Sequence, residues 1–275
     1  MITDRNPVDL NAVLTEMGEA GLRLNAINAC EANAGNISVT VPYTEQVVDL
    51  FPEVEPYELP TEVSALAGRI VLISGSGQRL REIAADPRAV VGAIVIAPDG
   101  LSAVHRYAPQ RAFARPTSEA NSHLAVHRDH LARAAGHVPV HAVVHAHAPH
   151  TTQLTHRGAR NTVEFSRQIM RWEPEIVVWV PGGIGFLPFE VPGSKALEVG
   201  TVAALRTAEI VAWAKHGVMA RSAKGPLGAV DTIEFIETGA RFQVTALQTG
   251  DTGGGLTDAE IEAIIAAFGV DTPIY

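Results

Sequence analysis

The chain carries near its middle the segment His141-Ala-Val-Val-His145-Ala-His147-Ala-Pro149-His150. The valine pair favours a strand, in which side chains two residues apart point to the same face of the sheet. His145 and His147 are therefore expected to present their imidazoles side by side, and Pro149 ends the strand where the chain enters a loop. Such a pair can offer two neutral nitrogen ligands to one metal ion, although histidine is more often a partly buried polar residue with one hydrogen-bond partner.

Histidine is concentrated around this segment. Nine of the eleven histidines lie between His123 and His156, and His216 follows a second apolar run. A His-x-His pair with one distant histidine leaves a coordination position open, as in a catalytic zinc site. A structural zinc ion would need four protein ligands, and the single cysteine, Cys30, cannot supply a thiolate cage. Nitrogen ligands favour zinc, while manganese or cobalt stays possible.

The composition describes a globular protein with an acidic balance. The 275 residues are 47% hydrophobic and 19% charged, and no linker separates two cores, so we expect one domain, 1–275. A net charge of −9 argues against nucleic acid or an anionic membrane as a partner. One cysteine, no signal-peptide pattern and no apolar run of roughly 18 residues predict a cytoplasmic protein.

The strand pattern predicts an α/β fold without a doubly wound parallel sheet. Pro98-Asp-Gly100 is a hairpin signal between two apolar runs, and strands joined in this way are antiparallel. The predicted strands are 37–41, 69–74, 90–97, 101–107, the histidine segment, 176–180 and 209–219 with a turn at Gly217. The predicted helices are 8–29, one starting at 116–119, 149–156 as a short helix or turn, 164–172, 194–207, 227–247 and 260–268. Residues 43–68 and 181–185 are expected to be irregular, and 250–255 to be a link.

Three loops could hold a ligand. The segment 31–38 is either an ordinary turn or a loop whose asparagines bind a small polar molecule. Gly75-Ser76-Gly77 follows a strand and can bring backbone N–H groups to a phosphate. Thr117 or Ser118 can cap the next helix, and Glu119 is then either an acid facing the helix dipole or a general base near the metal.

As an ordered set, these segments resemble the class II aldolase/adducin family over nearly the whole chain. The resemblance implies a single α/β domain with a central, mainly antiparallel sheet covered by helices. It also implies a homotetramer with active sites near subunit interfaces, and a zinc ion on His145, His147 and His216. The resemblance is carried by Asn33-Ala-Gly35-Asn36-Ile, Ser74-Gly75-Ser76-Gly77, Pro116-Thr117-Ser118-Glu119 with His123, His145-Ala-His147, His216-Gly217, Phe165-Ser-Arg-Gln168, Pro181-Gly-Gly-Ile-Gly185-Phe-Leu-Pro188 and Val191-Pro192-Gly193.

The resemblance also implies roles for individual residues. Glu119 matches a catalytic acid, and a second catalytic glutamate falls on Glu175, with Glu173 as the less favoured match. The residues that match the substrate-binding positions are Asn33, Asn36, Ser76, Gly77, Thr117 and Ser118. The implied reaction cleaves L-rhamnulose 1-phosphate to dihydroxyacetone phosphate and L-lactaldehyde, and the zinc ion stabilises the enediolate that C–C cleavage leaves.

Other functions stay open at this point. The same metal site would serve an aldolase for another ketose phosphate, such as L-fuculose 1-phosphate, or a pentulose-phosphate 4-epimerase. A non-catalytic scaffold, like the adducin head domains, is a third alternative, although the three histidines and Glu119 argue against it. A small ketose phosphate is thus the expected binding partner.

Overall fold

A computed structural model describes residues 8–158, 161–250 and 253–275 of the chain. The strands are β1 Asn36–Pro42, β2 Glu53–Tyr57, β3 Arg69–Ser74, β4 Val91–Ile96, β5 Ala103–Tyr107, β6 His141–Ala146, β7 Ile184–Leu187, β8 Ile210–Trp213 and β9 Gly217–Ser222. They form one nine-stranded sheet in the order β2-β5-β4-β3-β1-β6-β9-β8-β7. Only β7 and β8 pair in parallel among the described strands, which confirms the α/β fold with a mainly antiparallel sheet.

Helices cover both faces of this sheet. They are α1 Leu10–Ala26, α2 Gln46–Leu50, α3 Pro87–Val90, α4 Ala120–Arg133, α5 Pro149–Thr155, α6 Thr162–Met170, α7 Pro174–Trp179, α8 Lys195–Ala204, α9 Pro226–Thr249 and α10 Asp258–Phe268. In the described part of the chain, no helix has the length and apolar character needed to cross a membrane.

Strand β6 lies inside the sheet, between β1 and β9, and all six of its residues are buried. Val144 packs in an apolar cluster with Ile233 of α9, whereas Val143 packs on the other face with Val126 of α4. Because successive strand residues point to opposite faces, the adjacent valines at the centre of β6 are buried on both faces of the sheet. Each fully buried valine contributes about 1.5–3 kcal/mol, so this strand is firmly held.

The strand predicted at 176–180 is wrong. These residues belong to α7, because Pro174 is suited to the first turn of a helix and Glu175 lies in that turn. Ile176 and Val177 are buried, so the apolar run that indicated a strand supplies the inner face of a short helix. The strand of this region is β7, which begins inside the predicted loop 181–185.

Two other segments differ from the prediction. Residues 43–68 contain α2 and the edge strand β2. The apolar pattern of β2 is weak because two glutamates and Pro56 occupy three of its five positions. The predicted strand 209–219 is a hairpin of β8 and β9, because Lys215 takes a φ of +65° and turns the chain. The expected link at 250–255 includes residues 251 and 252, which lie outside the described residues.

Candidate active site

The structure brings His145, His147 and His216 together at one end of the sheet. His145 is near the end of β6 and His147 follows that strand, while His216 lies in the turn between β8 and β9. Since β6 and β9 are antiparallel neighbours, with Ala146 opposite Val218, the turn is carried to the end of β6. One ligand atom from each histidine lies within 4.8 Å of the other two, so the three side chains could hold one metal ion.

Gly217 allows this close approach. A Cβ atom at this position would lie 2.4 Å from the carbonyl oxygen of Ala146 and 3.1 Å from Cε1 of His145. Both contacts are shorter than ordinary van der Waals distances, and the nearer atom is backbone that cannot swing away. Any larger residue at position 217 would therefore push the turn that carries His216 away from the other two histidines.

Hydrogen bonds orient two of the imidazoles for coordination. Nδ1–H of His145 donates to the carbonyl oxygen of Val218 at 2.9 Å, and Nδ1–H of His147 donates to Oε1 of Glu31 at 2.8 Å. Each neutral ring then has its lone pair on Nε2, which is the arrangement seen when histidine binds a metal. Among the described residues, Nδ1 of His216 is buried without a hydrogen-bond partner.

Two of the histidines are held in the neutral form. Burial, reinforced by the neighbouring His147, lowers the pKa of His145 to about 3. Burial and the neighbouring His145 likewise lower the pKa of His216 to about 4. A metal ligand must be unprotonated, so these two nitrogen donors are ready for a divalent metal near pH 7. Trp213 supports the site, because its indole stacks on His145 with ring centroids 4.7 Å apart and donates to Oγ1 of Thr201 at 2.9 Å.

The carboxylate of Glu119 lies against this cluster. Its Oε2 atom is 3.5 Å from Nε2 of His145, and its Oε1 atom is 3.8 Å from Nε2 of His216. Nδ2–H of Asn36 donates to Oε2 at 2.8 Å, whereas Oε1 is buried with no hydrogen-bond partner in the described structure. A buried carboxylate oxygen left free beside a metal-ligand cluster is suited to accept a proton from a substrate.

The helix start differs in detail from the prediction. Glu119 itself is the N-cap residue of α4, and neither Thr117 nor Ser118 caps the helix by a side-chain hydrogen bond. The N–H of Thr117 is instead bonded to the carbonyl oxygen of Ser74 at 3.0 Å. Its hydroxyl accepts from the N–H of Glu119 at 3.4 Å, so it bonds the N-cap residue and none of the N–H groups inside the helix. This arrangement leaves the carboxylate of Glu119 at the helix N-terminus, facing the cluster.

A cavity of about 220 Å³ lies over the histidines and Glu119. It is lined by all six predicted substrate-binding residues, Asn33, Asn36, Ser76, Gly77, Thr117 and Ser118, and also by Pro192. The loop after β3 joins the segment before α4, because Gly75 pairs with Pro116 and the N–H of Ser76 donates to the carbonyl oxygen of Arg115 at 2.9 Å. Sequence segments far apart in the chain thus form one polar wall.

Glu175 does not line this cavity. It lies in the first turn of α7 and lines a separate cavity of about 760 Å³, together with Glu173, Arg23 and Trp179. Burial and the neighbouring Glu175 raise the pKa of Glu173 to about 7, and the hydrogen bond from Glu173 lowers the pKa of Glu175. Of the two glutamates, Glu173 therefore binds a proton the more tightly.

Sequence reasoning gave no role to two residues that orient the histidines. Glu31 is one residue of a turn-rich loop, and 116 positions separate it from His147, so no local spacing connects the two. Trp213 belongs to an apolar strand and looked like an ordinary core residue. Its position three residues before His216 was the one available signal, because it places the indole in the strand that leads into the turn of His216.

Comparisons with known proteins agree with this geometry. Residues 15–244 match the family described as the Class II Aldolase and Adducin N-terminal domain. The rhamnulose-1-phosphate aldolase of Bacteroides thetaiotaomicron is 30% identical over 244 residues, covering 86% of this chain and 87% of its own. That of Listeria monocytogenes serotype 4b is 26% identical over 260 residues, covering 94% and 93%. The crystal structure of a sugar-phosphate aldolase from Thermotoga maritima has a TM-score of 0.69 at 25% identity, covering 88% of this chain and 97% of its own.

Proposed function

The chain belongs to the class II aldolase and adducin N-terminal domain family and is a metal-dependent aldolase, and we propose that it uses zinc to cleave L-rhamnulose 1-phosphate into dihydroxyacetone phosphate and L-lactaldehyde. The observation that carries the proposal is Glu119, whose two carboxylate oxygens lie 3.5 and 3.8 Å from Nε2 of His145 and Nε2 of His216. Cleaving a C–C bond beside a ketone needs a positive charge at the ketone oxygen and an acid–base group at the adjoining carbon.

We propose that His145, His147 and His216 hold the zinc ion. When bound there, a divalent metal supplies positive charge for the substrate oxygens that become negative during cleavage. Three neutral nitrogen donors favour zinc, and manganese or cobalt would fit the same donor set less well. The residues that line the cavity include no lysine, so a Schiff-base route would lack its nucleophile there.

Glu119 is the residue that we propose exchanges the proton at the carbon that becomes nucleophilic. Its Oε2 atom is held by Asn36, and its unpartnered Oε1 atom is free to exchange the proton, delivering it to that carbon in cleavage and taking it in the reverse reaction. The dihydroxyacetone phosphate half would be bound by the polar wall of the cavity, through the side chains of Asn33, Asn36, Ser76, Thr117 and Ser118 and the backbone N–H of Gly77. Gly77 supports this because its φ of +76° turns the loop at the cavity.

Glu175 is proposed to serve the hydroxyl group of the aldehyde half, taking its proton as a base when the C–C bond is cleaved. Because it lines a different cavity from the histidines, it would act at the site of a neighbouring protomer in a homotetramer. Two solvent-exposed apolar residues, Trp179 beside it and Val191 beside Pro192 of the catalytic cavity, are 58% and 63% exposed and would be covered in such an assembly. We further propose that residues 1–275 form one catalytic domain of a cytoplasmic enzyme with no nucleic-acid or membrane partner.

The same geometry supports two neighbouring activities. An aldolase for another ketose phosphate, such as L-fuculose 1-phosphate, would differ only in how it binds the aldehyde half. A pentulose-phosphate 4-epimerase would retain the aldehyde and re-add it, so released dihydroxyacetone phosphate distinguishes the two reactions. A non-catalytic scaffold has no need of the free Glu119 oxygen, and a purified protein that binds no metal would favour it.

Chelation tests the proposal. Treating the enzyme with a chelator should abolish cleavage, and adding zinc should restore it. Without the metal the cavity has no cationic group, because no lysine or arginine lines it in the described part of the chain. Treatment with borohydride in the presence of substrate should leave activity after dialysis. A substrate–lysine adduct trapped by borohydride would contradict the metal mechanism.

A further inference from the structure

A line of buried polar side chains runs from Glu119 into the interior, between α4 and the strands β1 and β6. Its five members, apart from Glu119, are Asn36 and Ser38 of β1, His123 and His127 of α4, and His141 of β6. Asn36 is 7% exposed and the other four are fully buried. Burying three histidines and a serine costs folding free energy unless each side chain is hydrogen-bonded, so each must have a partner in the interior.

The contacts are continuous. Nε2 of His123 contacts Oδ1 of Asn36, and Nδ1 of His123 lies 2.6 Å from Oγ of Ser38. Oγ of Ser38 also lies 2.7 Å from Nε2 of His127. Nδ1 of His127 lies 2.8 Å from Nδ1 of His141, whose ring is stacked on His130 at 4.0 Å. With the bond from Asn36 to Glu119, these contacts join the catalytic carboxylate to β6 without a gap.

Only one direction of donation is consistent along this line. A carboxylate can only accept, so Asn36 donates through Nδ2–H and its Oδ1 must accept from Nε2–H of His123. A neutral His123 then accepts at Nδ1 from the single hydroxyl proton of Ser38. Ser38 has no second proton, so it accepts from Nε2–H of His127, which leaves Nδ1 of His127 as an acceptor.

The last link follows from the same rule. Nδ1 of His127 can accept only if His141 donates through its own Nδ1–H. His141 therefore carries its proton on Nδ1, whereas His123 and His127 carry theirs on Nε2. Nε2 of His141 is left without a proton, and it is buried with no hydrogen-bond partner among the described residues. No acceptor among the described residues lies within hydrogen-bond distance of this nitrogen, so nothing there requires it to carry a proton.

The rings are neutral, as this scheme needs. Burial lowers the pKa of His123 to about 3 and holds the pKa values of His127 and His141 well below the ordinary range. The nearby cationic groups Arg69 and Arg221 act in the same direction on His141. A proton on any of these rings would put two donors against one another and break the line.

We propose that Ser38, His123, His127 and His141 form a one-way chain of hydrogen-bond donors that, through Asn36, positions Glu119 for proton transfer by its Oε1 atom. This proposal rests on the proposed role of Glu119. Each donor in the chain polarises the next toward the carboxylate, so Oε2 is fixed and the orphaned Oε1 is the oxygen presented to the substrate. His123 and Ser38 are thus positioning residues that do not touch the substrate cavity.

The direct test is the tautomer of each ring in the zinc-loaded, ¹⁵N-histidine-labelled protein at pH 7. Long-range ¹H–¹⁵N NMR spectra distinguish protonated from unprotonated ring nitrogens, and single substitutions assign the signals. We expect the proton on Nδ1 of His141 and on Nε2 of His123 and His127. A proton on Nε2 of His141, or an imidazolium at any of the three positions, would overturn the chain. This readout needs no substrate, so it stands even if the proposed reaction fails.

Kinetics of Ser38→Ala test whether the chain positions Glu119. The substitution removes the donor to His123, and we expect kcat for ketose-phosphate cleavage to fall about tenfold with KM within about twofold and zinc content unchanged. The control is Thr40→Val, which removes a buried hydroxyl from the same face of β1. That hydroxyl donates to the carbonyl oxygen of Ile70 and accepts from Nε–H of Arg69, so it is bonded to no member of the chain. An unchanged kcat in Ser38→Ala, in an enzyme that Glu119→Gln inactivates, would refute the positioning role and leave the proposed function intact.

Discussion

Glu31, in the loop after α1, accepts a hydrogen bond of 2.8 Å from Nδ1–H of His147. The two residues are 116 positions apart, and the bond joins the loop that carries Asn33 to the end of β6. A carboxylate behind a histidine ligand fixes its ring and raises the basicity of the coordinating nitrogen. The loop that lines the cavity and His147, the proposed metal ligand, are therefore held by one interaction.

Replacing this carboxylate should weaken metal binding. We expect Glu31→Ala to lower the affinity for zinc about 10- to 100-fold, because His147 loses its orienting partner. Zinc titration with a competing chelator measures the effect. The matched control is Glu58→Ala, which removes an exposed carboxylate in another loop and should leave the affinity unchanged. Equal affinities in the wild-type protein and Glu31→Ala would show that the bond does not support the metal site.

Glu119→Gln should separate metal binding from catalysis. The amide keeps the shape of the side chain but cannot take a proton, so we expect zinc content to be unchanged and kcat to fall about 10²- to 10⁴-fold. Metal analysis and steady-state kinetics on the same preparation measure both quantities. Turnover near the wild-type rate would remove Glu119 from its proposed role.

Glu237 of α9 should matter for stability. Its buried carboxylate accepts two backbone and two side-chain hydrogen bonds from His150 and Thr151, at 2.6–3.0 Å, and so caps α5 directly after the metal-binding segment. Glu237→Gln should lower the free energy of unfolding by about 3 kcal/mol, because an amide cannot accept at both ends. Asp231→Asn on the same helix breaks only a surface pair with Arg23 and should cost less than about 1 kcal/mol. Chemical denaturation measures the free energy of unfolding of both variants, and equal losses would contradict this prediction.

Glu173 should make stability depend on pH. Burial and Glu175 raise its pKa from 4.5 to about 7, so the folded state binds this proton more tightly than the unfolded state does. The protonated Glu173 therefore favours the folded state. Its contribution to the free energy of unfolding is complete below pH 4.5 and is lost as the pH rises through about 7. The neutral Glu173→Gln variant should therefore gain stability relative to the wild-type protein between pH 5 and pH 8. Melting curves across this range, with Glu58→Gln as the control, test the prediction, and a constant difference would refute it.

The sequence predicted the parts of the fold and site that depend on local pattern. Helices α1 and α9 were found by apolar spacing, with bounds that differ from the structure by one to three residues. Strand β3 was found by its continuous apolar run, with the same bounds as in the structure. The histidine pair was correctly placed at a strand end, because Pro149 ends the strand. The two imidazoles were expected on one face, because side chains two residues apart on a strand point to the same side. The proximity of His216 and Glu119 came from the family resemblance, since no local pattern brings residues almost 100 positions apart together.

What the sequence missed depends on tertiary context. The run 176–179 is apolar in either a strand or a short helix, and only its packing decided for α7. The hydrogen bond from His147 to Glu31, and the line of side chains behind Asn36, join elements that no spacing rule connects. Tautomers in particular are set by every neighbour at once, which a linear pattern does not contain.

The central claim is tested most directly by the products formed from L-rhamnulose 1-phosphate. The zinc-loaded protein is mixed with this substrate, and dihydroxyacetone phosphate is followed through a coupled dehydrogenase, with and without a chelator. The account predicts rapid release of dihydroxyacetone phosphate that the chelator abolishes. No release from a protein that carries one zinc ion per chain would contradict the proposed substrate. The substrate would then be another sugar phosphate or an unphosphorylated relative.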